Sequence, residues 1–127
     1  MKIDLISFIS LLLGIVVLSV SLYYARKKKF SDYYCFPAIF YRENKGYSVI
    51  FPDLQHNGGN TQGEDFEEAF KGSKEVLEMV LYWLEKENQS IPKPSLPNKI
   101  KVAQNAFVVM IEVYMPTVRN KRSLLES

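Results

Sequence analysis

Few side chains in this 127-residue sequence are of types that do chemistry at neutral pH, and their spacing limits what they can do. The single histidine, His56, stands in a glycine-flanked loop without a Cys or His partner, so it builds neither a zinc site nor an assisted nucleophile. Cys35 is the only cysteine and cannot close an intrachain bridge, which is compatible with a reducing compartment. Gly58-Gly59 is followed by neither Gly-x-Gly-x-x-Gly nor Gly-Lys-Ser/Thr, so it reads as a flexible turn rather than a phosphate loop. Asp53 and Glu112 are conceivable as two carboxylates of a metal-dependent nuclease, but such catalysis needs several acids converging on two ions. Their plainer readings are a turn residue after Pro52 and an outward-facing strand position. The expectation is a protein with no catalytic residue, no metal and no cofactor, which acts by binding.

Those residues sit in a chain of two unlike parts. Residues 1–30 carry five Lys/Arg against one acid, whereas residues 31–127 carry eleven against thirteen. The overall +2 charge therefore conceals a basic start and a mildly acidic remainder, and gives no ground for nucleic-acid binding. From Leu5 to Tyr24 twenty consecutive residues are uncharged, and thirteen of them are Leu, Ile, Val or Phe. As a helix this run covers about 30 Å, the hydrocarbon thickness of a bilayer, and those thirteen contribute about −4 to −8 kcal/mol toward insertion. Tyr23 and Tyr24 fit an interfacial aromatic belt, and Arg26-Lys27-Lys28-Lys29 follows as a topology determinant facing the cytoplasm. A cleaved signal peptide, with small residues at Ser19-Val20-Ser21, is the rival reading. It fits less well, because the n-region is nearly uncharged and the basic run follows the apolar core. The expected location is a single-pass cell-membrane protein, contacting lipid through residues 5–24, with its folded part on the cytoplasmic side; the alternative is cytoplasmic.

The remainder predicts an α+β fold in the order β-β-β-α-β, with one long helix packed on a small sheet. Tyr33–Tyr41 and Tyr47–Phe51 read as a hairpin closed by the polar run from Arg42 to Gly46. Pro37 cannot donate to a ladder, so the first strand should be at an edge or irregular there. Thr61-Gln62 suggests a short third strand. Asp65 with Glu68 forms a capping-box pattern, and Phe66, Ala69, Phe70, Ser73, Val76, Leu77, Val80 and Leu84 recur at helical spacing, predicting a helix over about 65–88. Gly72 is its weak point. Three prolines between Ile91 and Pro97 make an extended connection. Ala106–Tyr114 is apolar on both faces until its end, which predicts an interior strand. The expected organisation is an anchor over 1–30, a folded domain over 31–118 and a basic C-terminal tail over 119–127.

Phe36-Pro37-Ala38-Ile39-Phe40, Gly46 through Leu54, Thr61-Gln62-Gly63, Glu67-Glu68-Ala69, Ile91 through Ser95 and Phe107 through Val113 come in the order in which the HicB family of antitoxins carries similar motifs. Over roughly residues 33–120 the chain resembles that family. The resemblance implies a partial RNase H-like fold without a nuclease site, and binding to a HicA toxin, a small basic mRNA-cleaving protein whose catalytic histidine the antitoxin blocks. Residues 31–118 hold eight Lys/Arg and twelve Asp/Glu, which suits a basic partner. The contacts are expected at the Asp53-Leu54 turn and on the acidic helix face at Glu67, Glu75 and Glu78.

The sequence departs from the family pattern in three places. The stretch from Gln55 to Asn60 is longer than the usual turn, the nine residues after Val118 are too few for the DNA-binding domain that often follows, and a membrane span is not usual. Operator binding and autoregulation are therefore not expected. A second reading is an orphan, membrane-anchored module that forms a homo-oligomer, through sheet edges.

Overall fold

The structure, a computed structural model, describes residues 4–26 and 29–126. Helix α1 spans Leu5–Arg26 and is followed by β1 (Tyr33–Glu43), β2 (Gly46–Ile50), β3 (Asn60–Gly63), α2 (Phe66–Lys86), β4 (Ala106–Tyr114) and α3 (Met115–Glu126). Every residue from Asp4 to Ala25 is exposed, and the helix is long and apolar enough to cross a membrane. Its Ser19 hydroxyl donates to the Ile15 carbonyl, so that polar group is satisfied within the helix itself.

The four strands form one antiparallel sheet in the order β3-β2-β1-β4. Alternation places Phe36, Ala38 and Phe40 of β1, Val49 of β2, and Ile111 and Val113 of β4 in the core with Leu77, Val80, Leu81 and Leu84 of α2. The predicted strand and helix order is found. Pro37 shows how a proline fits a strand in mid-sheet. Arg42 N–H donates to the Asn105 carbonyl and Met115 N–H to the Asp32 carbonyl, so even-numbered residues of β1 face β4. Pro37 faces the other way, toward a β2 that ends at Ile50 and does not reach it. Its missing N–H therefore costs no ladder bond.

Three expectations are corrected. β4 is not interior but the edge of the sheet: Ile111 and Val113 on one face are buried in the core, while Met110, Glu112 and Tyr114 on the other are exposed. The residues read as a basic tail belong to α3, which begins at Met115 and carries Pro116 in its first turn, where proline's missing donor is tolerated. The Gly58-Gly59 turn is closely held. Pro52–Asn57 forms a 3-10 turn, Gly58 takes φ +80, and Phe51 N–H donates to Gly59 O while Gly59 N–H donates to Leu54 O. A Cβ on Gly59 would lie 2.9 Å from that same Leu54 oxygen, so the turn requires glycine.

The start of α2 is fixed by close approach to the sheet. Asp65 accepts from Glu68 N–H at 2.8 Å, and the Glu68 carboxylate reaches back to Glu64 N–H, one residue earlier than the usual reciprocal bond. A Cβ on Gly63 would stand 2.4 Å from Ala69 N, and one on Gly72 would stand 3.1 Å from Thr61 Oγ1. Gly72 thus has a packing role: it lets α2 lie against β3.

Candidate partner-binding surface

The two ends of α2 carry different side-chain chemistry. At its C-terminal end, Arg119 of α3 donates to both Glu85 carboxylate oxygens at 2.8 Å, to Asp32 at 2.9 Å and to the Ser31 carbonyl at 2.6 Å. This fork is the bidentate geometry that guanidinium favours, and it ties α2, α3 and the entry to β1 together. The Glu85 hydrogen bonds, followed by that of Asp32, outweigh partial burial and raise the Arg119 pKa further. Tyr82 and Lys86 both bond Glu126 in the last turn of α3.

At the N-terminal end an aromatic cluster stays partly open. Phe66 packs on Phe40 at 5.3 Å between ring centroids, on Tyr47 at 6.0 Å and on Phe107 at 6.1 Å, and Phe70 continues it at 6.0 Å from Phe66. The Arg42 guanidinium lies 4.6 Å above the Phe107 ring. Phe66 is 42% exposed and Phe70 39%, so the cluster is anchored in the core yet presents aromatic surface. Aromatic rings beside an arginine are the side chains most often found at the energetic centre of protein interfaces.

The expected contact residues divide. Glu67 and Glu75 are exposed and Glu78 is half-buried; Glu67 adjoins this cluster in sequence, and Glu75 and Glu78 lie about 7 and 12 Å further along the helix than Phe70. Among the described residues, none of the three takes part in a salt bridge. Leu54, in contrast, is fully buried and fills the core beneath the turn. Asp53 is half-buried, and its carboxylate accepts from both the N–H and the hydroxyl of Ser95. It fastens the proline-rich connection to the end of β2. Of the basic run, Lys29 is exposed, Arg26 ends α1, and Lys27 and Lys28 lie outside the described residues.

The side chains capable of chemistry stay apart. His56 is exposed on the 3-10 turn, and among the described residues no group of three or more His, Cys, Asp and Glu is placed to hold a metal ion. Cys35 pairs across the ladder with Glu112; burial and then that carboxylate push its thiol pKa up, away from the reactive thiolate. The spacing of Phe66 and Phe70 in the sequence assigns them to the buried face. The signal for a surface role is their position in the first turns, where Arg42, Tyr47 and Phe107 converge only through the sheet register.

No family model and no curated protein matches the chain. Solved structures do. The chain is similar to one in a toxin-antitoxin complex from Streptococcus pneumoniae, with 24% identity and a TM-score of 0.60 over 67% of this chain and 71% of that one. It is also similar to one in a HicA3 and HicB3 toxin-antitoxin complex, with 18% identity and a TM-score of 0.50 over 61% of this chain and 95% of that one. At these identities the likeness is one of fold. The sheet-and-helix body has a fold found in toxin-antitoxin complexes.

Proposed function

We propose that this protein is an antitoxin-like binding module, with a HicB-type, partial RNase H-like body, which sequesters a HicA-type toxin and performs no catalysis of its own. The observation that carries the reading is the likeness of fold to chains of two toxin-antitoxin complexes. The open aromatic end of α2 supports it, because half-exposed Phe66 and Phe70 offer apolar area that a partner can desolvate. Glu67, Glu75 and Glu78 on the same helix supply negative charge that speeds encounter with a basic protein. Asp53 and Leu54 act indirectly, by holding the turn and the proline-rich connection in shape.

α1 gives this module a membrane anchor, with residues 5–24 in lipid, the Lys/Arg run at the cytoplasmic surface and the folded body in the cytoplasm. A toxin held there is held away from bulk mRNA. Operator binding has no part in this reading.

The test is co-expression of the tagged full chain with the small basic reading frame beside its gene, followed by affinity purification from detergent extract. A stable complex and rescued growth are the expected results. Absence of a complex at micromolar concentration, with growth still arrested, would overturn the reading. Carbonate extraction tests the anchor separately: the chain should stay with the membrane pellet, and release into the soluble fraction would remove the anchor.

A further inference from the structure

The two edges of the sheet are protected unequally. β3 is four residues long, polar and ends in glycine, a short edge of the kind that resists pairing. β4 is nine residues long and contains no Pro, Gly or Lys, and its register with β1 runs unbroken from Ala106 to Tyr114. The Arg42–Asn105 and Asp32–Met115 bonds at its two ends fix which backbone groups point outward: those of Val108, Met110 and Glu112. Their N–H groups have no backbone partner among the described residues. Met110 and Tyr114 are exposed on one face of this strand, and Phe107 and Val109 are half-buried on the other. Apart from the charge of Glu112, the usual devices that blunt an edge are missing from it.

We propose that β4 pairs antiparallel with β4 of a second copy of this chain, about a twofold axis through Met110, making one continuous eight-stranded sheet. The strand is its own complement in that register. Val108 faces Glu112 of the second copy and Ala106 faces Tyr114, so the single charge on the strand meets an apolar residue and not its like. On the helix side Phe107 faces Val113 and Val109 faces Ile111, which covers the two side chains that the edge leaves half-exposed. A twofold pairing closes on itself and leaves only the short β3 edges outside, whereas pairing with an unrelated strand would leave the second partner's own edge unaccounted for.

Site-specific cross-linking of the full chain in detergent micelles, in a Cys35→Ser background, tests the register. Met110→Cys should give a disulfide-linked dimer under mild oxidation, because a residue on the axis faces its own copy with Cα atoms about 5.5 Å apart. Val108→Cys should not, since its counterpart lies four residues along, about 14 Å away; adding Glu112→Cys to it should restore the dimer band. Equal cross-linking at both single positions, or none at either, overturns the proposal. Met110→Lys places two like charges on the axis, and the dimer mass seen by light scattering should fall to that of the monomer with unchanged circular dichroism. A dimer that survives this change while Met110→Cys fails to cross-link belongs to another surface, α1 included, and also overturns the proposal. Toxin binding enters none of these measurements, so their failure leaves the antitoxin-like reading standing.

Discussion

The C-terminal end of α2 is held by charge and its N-terminal end by aromatic packing that stays partly exposed. At the first, Arg119, Glu85, Asp32, Tyr82, Lys86 and Glu126 satisfy one another, and the two helices and the entry to β1 share one polar clasp. At the second, the cap residues Asp65 and Glu68 satisfy the backbone, while Phe66 and Phe70 keep about two-fifths of their surface in solvent. One helix thus ties three elements together at one end, where Trp83 is nevertheless 46% exposed, and presents an aromatic cluster at the other. Polar groups satisfied within the chain add little to association, whereas apolar area that the chain has not covered retains its free energy for a partner.

The comparison can be broken most severely at Gly63. In Gly63→Ala the new methyl meets the Ala69 backbone at 2.4 Å, so β3 and the first turn of α2 must separate. A loss of about 3 kcal/mol is expected in urea unfolding of the micelle-bound chain, at the upper end of ordinary single substitutions. Phe70→Ala sharpens the contrast by separating binding from folding. Affinity for a co-purified HicA-type toxin should fall about 30-fold, some 2 kcal/mol, with a stability change of about 1 kcal/mol. Titration calorimetry and urea unfolding read the two effects, and equal losses in both would place Phe70 in the fold rather than at the interface.

Arg119→Ala attacks the clasped end. It strands the Glu85 carboxylate, whose side chain is only 9% exposed, but Asp32 is 62% exposed and contributes little. A destabilisation of about 2 kcal/mol is expected, with toxin affinity unchanged. Arg119→Lys should recover only part of it, because an ammonium cannot span both Glu85 oxygens.

The smallest effect is a pH dependence. The hydrogen bond from Lys86, then that from Tyr82, lowers the Glu126 pKa below its usual carboxylate value. A group depressed in the folded state contributes stability above its unfolded pKa and loses that contribution as pH falls through the folded value. The C-terminal dock of α3 should therefore loosen in acid, below the ordinary carboxylate range. Trp83, the only tryptophan, lies 5.0 Å from Lys86 Nζ and gives a local fluorescence signal for this change. The acid transition should vanish in Glu126→Gln; its persistence would assign it to another carboxylate.

Element identity is largely legible in the chain itself. The alternation in Phe36–Phe40 and Tyr47–Phe51, the Asp65/Glu68 cap and the helical recurrence from Phe66 to Leu84 are local signals, and each names the face its element buries. The clasp is not legible there, because Arg119 and Glu85 are 34 residues apart and nothing near either one specifies the other. Leu54 reads as a turn residue, since its burial depends on the 3-10 turn folding back over the core.

What the sequence by itself determined, then, is which residues are apolar on which side of each helix and strand, and that residues 5–24 are uncharged and mostly apolar. The tertiary structure decided which strand stands at the edge, which end of α2 is clasped by α3 and which apolar side chains remain at the surface. Periodicity is set within a few residues of chain, whereas lateral neighbours in a sheet and contacts between helices are set by topology, through hydrogen bonds and packing between residues far apart in sequence.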